Sequence, residues 1–340
     1  MKLLVTGGLG FIGSNFIRYV LAEKKYSKVV NLDLQTYAGN PANLSDVASD
    51  ARYRYIKGDI ADPSVVDKAM SDVDAVINFA AETHVDRSIL DAAAFLRTNI
   101  IGTQVLLDAA LAHNVRRFLH VGTDEVYGSV AKGFSKEGDN LEPNSPYAAS
   151  KAAADLLVRS YFVTHKAPVI ISRASNNFGP NQFPEKALPL MITNWIDDLP
   201  FPRYGDGKQV RDWLYVVDHA RALQLILEKG AVGETYNVGG VEHCPNNELI
   251  EKARGLMKKP KELVVEVPDR PGHDRRYALN CDKLEKLGFK HEFSFPEALK
   301  ETIRWYEKNE AWWRPLRTSA SYQTYYIKQY QERLKAGAAR

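Results

Sequence analysis

The sequence predicts an α/β protein with a doubly wound parallel sheet and a smaller, mixed α/β C-terminal region. Three observations carry this. A short apolar strand over residues 3–5 breaks into a glycine turn and then a helical pattern. From there to residue 171, apolar runs of strand length alternate with stretches of helical period, the rhythm of βαβ units. Beyond that point the rhythm gives way to short segments rich in Pro and Gly, so the organisation changes near residue 175. The expected limits are 1–175 for the sheet domain, 176–315 for a second region interleaved with it, and 316–340 for a tail.

In chain order, residues 3–5 lead into Thr6-Gly7-Gly8-Leu9-Gly10-Phe11-Ile12-Gly13, after which Phe16, Ile17, Val20 and Leu21 share one helical face. Gly7, Gly10 and Gly13 allow a tight turn, close approach of the backbone to a pyrophosphate, and close helix packing, with the helix N-terminus at Phe11 and Ile12 facing the anion. This is the Rossmann type of turn, and an ordinary turn is its alternative. A second strand over 29–32 ends in Asp33, twenty positions after Gly13. A carboxylate there accepts from both ribose hydroxyls of an adenosine and repels a 2′-phosphate, which favours NAD over NADP. A third strand over 54–60 carries Asp59 and Ile60 at its carboxyl end, where an adenine ring can lie.

A short helix over 65–70 precedes a fourth strand over 75–81, whose small Ala80 and Ala81 let a cofactor lie against the backbone. The polar segment Glu82-Thr83-His84-Val85-Asp86-Arg87-Ser88 then falls at the carboxyl edge of the sheet, with His84 a candidate ligand contact. A long amphipathic helix over 95–113 contains Asn99, and a fifth strand over 117–122 delivers Thr123-Asp124-Glu125 to the same edge. Ser145-Pro146-Tyr147 opens a helix that runs to 161, and a sixth strand spans 169–171. Residues 211–216 read as an extended segment leading to a helix over 218–227. Asn246 opens another helix, and 296–313 is amphipathic with tryptophans that belong to core or interface. In the loop over 269–277, Arg270, His273, Arg275 and Arg276 can clamp a diphosphate, a solvated charged loop being the alternative. Residues 322–340 are polar and helix-compatible.

Two adjacent carboxylates at a strand end, with Tyr147 and Lys151 one turn apart on a helix, supply an acid, a base and a proton shuttle. Two adjacent carboxyls in a closed site resist double ionisation, which keeps one protonated. Tyrosine ordinarily ionises near pH ~10, and Lys151 is expected to favour its phenolate. Alone, Asp124-Glu125 would be a turn after a strand and Tyr147 a packed helical tyrosine; their conjunction points to chemistry.

The composition excludes several classes. A net charge of +3 from 45 basic and 42 acidic side chains, without a basic block, argues against nucleic acid. The only two cysteines, Cys244 and Cys281, set no disulfide framework and fit a reducing cytosol. Eight histidines show no zinc-ligand spacing, so no metal is expected. No apolar stretch approaches the ~20 residues of a membrane span. Gly-rich sequence stands where a signal peptide would continue its apolar region, so a cytoplasmic protein is expected.

On these residues the chain resembles the extended short-chain dehydrogenases/reductases, and within them it is similar to the dTDP-glucose 4,6-dehydratase family over about residues 2–315. The glycine turn and Tyr147-x-x-x-Lys151 identify only the superfamily. Thr123-Asp124-Glu125-Val126-Tyr127-Gly128 is narrower: sugar-nucleotide 4-epimerases usually carry small or hydroxyl residues at the positions of Asp124 and Glu125, and nucleotide-sugar decarboxylases typically have Ser in place of the Asp. Asn176-Asn177-Phe178-Gly179-Pro180, Phe183-Pro184-Glu185-Lys186 and Tyr204-Gly205-Asp206-Gly207 through Arg211-Asp212-Trp213 match as well. Arg270-Pro271-Gly272-His273-Asp274-Arg275-Arg276-Tyr277 looks like the bacterial dTDP-sugar form rather than the plant UDP-glucose form. Phe178 stands where Tyr is usual, Asn181 where an aromatic is usual, and Leu34-Gln35 where Lys-Leu is more typical.

The resemblance implies NAD held by Gly7, Gly10, Phe11, Ile12, Gly13, Asp33, Asp59, Ile60, Ala80, Ala81, Asn99, Tyr147, Lys151 and Asn176. It implies dTDP-glucose held by His84, Ser88, Thr123, Asp124, Glu125, Asn177, Glu185, Lys186, Pro202, Tyr204, Arg211, Asn246, Arg270, His273 and Tyr277, the C-terminal region being mainly substrate-binding. The implied reaction is an internal redox cycle of deoxysugar biosynthesis, such as that of rhamnose. Tyr147 takes the proton of the sugar 4-hydroxyl as hydride leaves carbon 4 for NAD, with Thr123 bonded at that oxygen. Glu125 removes the carbon 5 proton, Asp124 protonates the departing 6-hydroxyl, and hydride returns to carbon 6. A homodimer is implied too, with the helices over 95–113 and 147–161 bundled across its interface. The other readings are a UDP-glucose 4,6-dehydratase, a nucleotide-sugar 4-epimerase and, in another class, a non-catalytic NAD-binding protein.

Overall fold

In a computed structural model of the chain, residues 1–269, 272–327, 330 and 334 are described. The first half alternates strand and helix: β1 (Lys2–Thr6), α1 (Phe11–Ala22), β2 (Lys28–Asp33), β3 (Tyr53–Lys57), α2 (Pro63–Met70), β4 (Ala75–Asn78), α3 (Val85–Leu90), α4 (Ala93–Phe95), α5 (Thr103–Ala112), β5 (Arg117–Thr123), α6 (Pro146–His165) and β6 (Val169–Ala174). Then follow β7 (Asn176–Phe178), α7 (Ala187–Ile196), β8 (Phe201–Tyr204), β9 (Val210–Tyr215), α8 (Val216–Lys229), β10 (Thr235–Val238), β11 (Glu242–Pro245) and α9 (Asn246–Met257). The last elements are β12 (Val264–Val267), α10 (Asp282–Lys286), α11 (Phe295–Lys308), α12 (Glu310–Thr318) and α13 (Ala320–Tyr326).

Seven strands pair in parallel in the order β10-β6-β5-β4-β1-β2-β3. Helices cover both faces, which is why β4 and β6 are buried at every position instead of alternating. On one face Phe16, Ile17 and Val20 of α1 and Leu223, Ile226 and Leu227 of α8 pack on Leu3, Val5 and Ile77. On the other, Val66 and Met70 of α2, Leu106 and Ala110 of α5 and Val158 of α6 pack on Leu4, Val30, Val76 and Phe118. The strand order reverses between β1 and β4, and the two crossovers leave in opposite directions, opening a crevice above the carboxyl ends of these strands.

The C-terminal half forms two small sheets, β11-β9-β7 and β12-β8, over a separate core containing Phe178, Trp195, Trp213, Phe295, Tyr306 and Trp313. Trp195 and Trp313 are fully buried, so these tryptophans are core. Strand β10 and helix α8, although late in sequence, rejoin the main sheet and its core. Phe178 packs against the rings of Trp213, Tyr215 and Phe295, an aromatic environment that a phenylalanine fills without the hydroxyl usual at its position.

Four expected elements differ. The third strand, expected over 54–60, ends at Lys57, so Asp59 and Ile60 follow it in a turn. The helix over 95–113 is broken: wide π-type turns occupy Leu96–Gly102, between α4 and α5. They place the Asn99 side chain on the Glu82 backbone and bring Gly102 so close to Ile60 that a methyl group there would collide with it. The fourth strand stops at Asn78, because the backbone beyond it turns to meet Gly7 and not a neighbouring strand. The helix over 296–313 is two helices, separated by Asn309 at φ −118°, ψ 40°.

Helix α6 starts where expected. The Ser145 hydroxyl accepts from the Ala148 amide at 3.1 Å, and Pro146, which has no amide hydrogen to leave unpaired, sits in the first turn. Below the site a buried pair fixes it: Arg173 Nε of β6 donates to Asp155 Oδ2 at 2.8 Å, while Arg173 Nη1 donates to the Tyr127 hydroxyl at 2.8 Å, which donates to Asn237 Oδ1 of β10 at 2.8 Å. Breaking a buried pair from one side strands the other charge. Arg173→Met is expected to lower unfolding stability by about 3–5 kcal/mol in a denaturant titration; a loss below ~1 kcal/mol would show that Asp155 finds another partner.

Candidate active site

Strand β1 ends at Thr6, and the chain turns at Gly7, whose φ of 68° suits glycine. A Cβ at Gly7 would lie 2.7 Å from the Ala80 amide nitrogen, and one at Gly13 would collide with the Gly7 carbonyl. The turn is therefore bare backbone opening into the N-terminus of α1. It is held from below and from the side. Thr6 Oγ1 donates to Asn78 Oδ1 at 2.6 Å and accepts from the Ala80 amide at 3.2 Å; the Gly8 amide donates to Asn31 Oδ1 at 3.0 Å. Asp33 accepts from the Leu9 amide at 2.9 Å and the Gln35 amide at 2.7 Å, and each carboxylate oxygen keeps a lone pair for a further donor. Burial raises the Asp33 carboxyl, with those two amides opposing.

A cleft of ≈ 320 Å³ opens above this turn. Among the residues expected to face NAD, Gly7, Gly10, Phe11, Ile12, Gly13, Asp33, Asp59, Ile60, Ala80, Ala81, Tyr147, Lys151 and Asn176 line it. Asn99 does not; its side chain accepts from the Glu82 amide at 2.9 Å and donates to the Glu82 carbonyl at 3.1 Å and to Ser150 Oγ at 2.8 Å, so it braces the wall from behind. The buried Asn176 Oδ1 has no hydrogen-bond partner among the described residues, and Asn176 lines the cleft.

Of the residues expected at the sugar, Thr123, Asp124, Glu125, Asn177, Glu185 and Lys186 line the same cleft. Ser88 and His84 stand outside its wall. Ser88 Oγ donates to the Val85 carbonyl at 2.6 Å and accepts from the Tyr147 amide at 3.2 Å, positioning the first turn of α6. His84 Nε2 lies 3.8 Å from the buried Glu185 Oε1, whose other oxygen accepts from Arg87 Nη2 at 2.9 Å.

Thr123 ends β5. Its Oγ1 accepts from the Glu125 amide and donates to Asp124 Oδ1, both at 3.3 Å, winding Asp124–Tyr127 into one 3₁₀ turn. Gly128 closes the turn at φ 72°, where any side chain would strike the Glu142 carbonyl. Burial, reinforced by the negative charges of Glu125 and Asp212, pushes the Asp124 carboxyl well above the usual carboxylate range, while Arg211 and the Thr123 hydroxyl oppose. Asp124 Oδ2 is buried without a hydrogen-bond partner among the described residues. Both burial and the neighbouring Glu125 thus favour the protonated form of Asp124, as expected of two adjacent carboxyls.

Tyr147 and Lys151 share a helix face, but the chain's own charges do not favour a phenolate. Burial raises the Tyr147 hydroxyl, Glu125 adds to the effect, and a side-chain hydrogen bond with Thr123 opposes it. Lys151 is not among the dominant influences: its Nζ donates to the Val121 carbonyl at 2.7 Å and lies 3.5 Å from His120 Nε2, with burial lowering it to about 8.

The remaining expected residues form a second cluster. Arg211 of β9 stacks 4.5 Å over the Tyr277 ring and donates to the Asp274 carbonyl at 3.0 Å; the Tyr277 hydroxyl donates to Asp274 Oδ2 at 2.5 Å. Tyr204 of β8 packs edge-on to His273, whose Nδ1 is 2.6 Å from Asp269 Oδ1. Pro202 lies on β8, and Asn246 opens α9 with its amide on the Gln209 carbonyl at 3.0 Å. The cluster meets the first at Glu125: burial raises the Tyr277 hydroxyl, and the Glu125 charge adds to the effect. The cationic loop is only partly available as a clamp: Arg275 pairs with Asp206 at 2.9 Å and Arg276 donates to the Gly133 carbonyl at 2.7 Å, holding the loop itself. Arg270 lies outside the described residues.

Three residues went unnoticed in the sequence. Tyr37 lines the cleft with Arg87 stacked 4.0 Å over its ring. His219, at the start of α8, lines it too, with Nδ1 2.8 Å from Asn177 Oδ1 and burial pushing its pKa down to about 3. Arg87 stood in the polar segment without a role; Tyr37 and His219 carried no motif, and only the return of α8 to the sheet brings His219 here. No group of three potential metal ligands occurs among the described residues, and no described helix is long and apolar enough to cross a membrane.

Residues 4–302 match the family model described as GDP-mannose 4,6 dehydratase. A dTDP-glucose 4,6-dehydratase from Streptomyces niveus is 48% identical over 323 residues, covering 94% of this chain and 96% of that protein. The crystal structure of DesIV, a dTDP-glucose 4,6-dehydratase from Streptomyces venezuelae with NAD and TYD bound, matches with a TM-score of 0.91 at 47% identity, over 93% of this chain and 100% of that one. A UDP-glucose 4-epimerase from Thermus thermophilus in complex with NAD reaches 0.84 at 29% identity, over 91% and 100%.

The bare turn generates a prediction. Gly13→Ala drives a methyl group into the Gly7 carbonyl and is expected to weaken dinucleotide binding by about tenfold or more in calorimetric titration; undiminished affinity would mean that the turn yields without moving the site.

Proposed function

This chain belongs to the GDP-mannose 4,6 dehydratase family, and within it we propose a dTDP-glucose 4,6-dehydratase, converting dTDP-glucose to dTDP-4-keto-6-deoxyglucose and water with NAD as its cofactor. One arrangement carries the reading: the buried Asp124 carboxyl, whose charged form burial and the adjacent Glu125 disfavour, lies in the cleft that also contains Tyr147 and Lys151. An epimerase expels no hydroxyl and needs no acid for a leaving group; a dehydratase needs one.

The residues present fit NAD. The bare glycine turn admits a pyrophosphate against the N-terminus of α1, Asp33 offers acceptors to ribose hydroxyls, and the unpartnered Asn176 Oδ1 offers another further along the cleft. Asp59 and Ile60 flank the adenine, Ala80 and Ala81 the opposite wall. When bound, NAD supplies the acceptor for the two electrons that leave sugar carbon 4 and later reach carbon 6.

The side chains move the protons. Thr123 holds the 4-oxygen while Tyr147 takes its proton, and the buried Lys151 supplies positive charge nearby. The 4-ketone acidifies the proton on carbon 5, which Glu125 removes. Asp124 protonates the departing 6-hydroxyl, water leaves, and Glu125 returns its proton to carbon 5. Asn177, Glu185 and Lys186 contact the sugar end, with His84 and Ser88 supporting them. Arg211, Tyr277, His273, Tyr204, Pro202 and Asn246 take the nucleotide, and Arg270 is assigned with them from sequence alone. Residues 1–175 thus serve the cofactor and the acid–base set, 176–315 mainly the nucleotide sugar, and 316–340 form a tail.

A homodimer is part of this reading. Ile89 and Leu90 of α3, Leu96 and Ile101 of the π-type segment and Leu156 and Val163 of α6 are exposed apolar side chains on neighbouring helices, suited to a bundle with a second copy. Light scattering should give twice the chain mass; a monomer at micromolar concentration would remove the dimer. The free cysteines fit a cytoplasmic setting.

With dTDP-glucose the protein is expected to form a 4-keto product that absorbs in alkali, and to do so faster than with UDP-glucose. A 4-epimer without keto product would overturn the dehydratase reading. Asp124→Asn is expected to lower kcat on the order of 100-fold or more. The acid must carry its proton, so wild-type turnover falls as pH rises through the raised Asp124 value, and the variant, which has nothing to titrate there, should lose that alkaline limb. An unchanged limb in the variant would assign the acid to another group.

A further inference from the structure

The last helices of the chain reach the cleft from outside. The segment over 182–186 runs between β7 and α7, away from every sheet, so no strand ladder satisfies its carbonyls. Three tyrosine hydroxyls from the end of the chain bond to them instead. Tyr306 of α11 donates to the Gln182 carbonyl, Tyr322 of α13 to the Pro184 carbonyl at 3.3 Å, and Tyr330, beyond α13, to the Glu185 carbonyl at 3.4 Å. All three side chains are buried. Tyrosine suits the task because its ring fills the core while its hydroxyl donates from the far end.

The donors are themselves held in place. Tyr322, Tyr326 and Tyr330 recur every four residues, the spacing of one helical face, and their rings follow one another with centroids 5.8 and 5.4 Å apart. Arg317 Nη2 ties α12 to Asn194 Oδ1 of α7 at 2.9 Å, and the Tyr322 ring rests 6.3 Å from that of Phe183. On its other side the segment faces the cleft, which Gln182, Phe183, Glu185 and Lys186 line. There the buried Glu185 accepts from Arg87 Nη2 at 2.9 Å, and Lys186 Nζ donates to the Thr83 carbonyl at 3.2 Å. The tyrosines grip the backbone from which these two side chains project.

Resting on the dehydratase reading, which assigns Glu185 and Lys186 to the sugar end, we propose that Tyr322 and Tyr330 are positioning residues for the hexose. By holding the Pro184 and Glu185 carbonyls they set where Glu185 and Lys186 meet the sugar, and so where its carbons 4, 5 and 6 lie against Tyr147, Glu125 and Asp124. The C-terminal segment is then part of the site and not an appendage. A drift of ~1 Å at the reacting carbons is enough to slow chemistry severely. In the same reading the nucleotide is taken by other groups, Arg211 and Tyr277 among them, and the dinucleotide by the glycine turn. The contact of the Tyr330 ring with Tyr204, 6.3 Å between centroids, survives a change to phenylalanine, whereas the hydrogen bond to Glu185 does not.

The test separates sugar from nucleotide. Tyr322→Phe, Tyr330→Phe and the double variant keep every ring and remove only hydroxyls. Turnover of dTDP-glucose by the NAD-loaded enzyme, with dTDP as competitive inhibitor, gives kcat/KM for the sugar nucleotide and Ki for the nucleotide without its sugar. In the double variant kcat/KM is expected to fall on the order of tenfold, each single change supplying part of the loss, while the Ki of dTDP stays within about twofold of wild type. An unaltered kcat/KM would overturn the proposal. Equal losses in kcat/KM and in dTDP affinity would overturn it too, since they would show that the tyrosines only hold the fold together. Should the double variant melt below the assay temperature, Tyr322→Phe alone decides by the same two readings. Absence of keto product from the wild-type enzyme would instead strike the dehydratase reading itself.

Discussion

The site depends on how closely two stretches of backbone approach above the sheet. Gly7 comes so near Ala80 that a Cβ would lie 2.7 Å from its amide nitrogen. That approach exists because β1 and β4 are neighbours at the point where strand order reverses, and it leaves peptide edges, without side chains, at the floor of the cleft. Thr6, Asn31, Asn78 and Asp33 then use their side chains to satisfy the backbone around the turn. Polar groups that would otherwise be buried unpaired become the scaffold of the cradle.

Asp124, Tyr147 and Lys151 are buried in the lining of the same cleft, and burial governs their ionisation more than their mutual charges do. It is the first influence on Asp124, Tyr147 and Lys151 alike, and in each case it favours the neutral form. A neutral Asp124 is what an acid for a leaving hydroxyl requires. In the proposed reaction a base must be ionised, so the burial that keeps the Tyr147 phenol neutral works against that role. The same burial needs support from beneath: the Asp155–Arg173 pair and the Tyr127–Asn237 bond tie α6 to strands from both halves of the chain.

Much of the site was legible because its residues come in short local patterns. Gly7, Gly10 and Gly13 announce a turn, Asp33 ends the next strand, and Thr123-Asp124-Glu125 and Tyr147-x-x-x-Lys151 each lie within one strand end or one helical turn. What the sequence left out involves contacts distant in sequence. Asn99 looked like a cofactor contact, but the π-type turns direct it to Glu82. Ser88 looked like a sugar contact and instead receives the Tyr147 amide. Lys151 looked like the neighbour that ionises Tyr147, yet its ammonium is held by the Val121 carbonyl. Helical spacing puts two residues on one face without saying where a four-carbon side chain ends.

The sequence by itself determined the alternation of strand and helix, the glycine cradle and the short local groupings Thr123-Asp124-Glu125 and Tyr147-x-x-x-Lys151, since these follow from periodicity, turn stereochemistry and residues a few positions apart. Only the tertiary structure decided that β10 and α8 return to the first sheet, bringing His219 to the cleft and Asn237 beneath Tyr127. It alone also decided that the charged form of Asp124 is disfavoured, because that depends on burial and, beyond Glu125, on Asp212, a charge contributed by a strand 88 positions later than Asp124. The physical reason is common to both: burial and long-range charge are properties of the packed chain, and no local pattern encodes them.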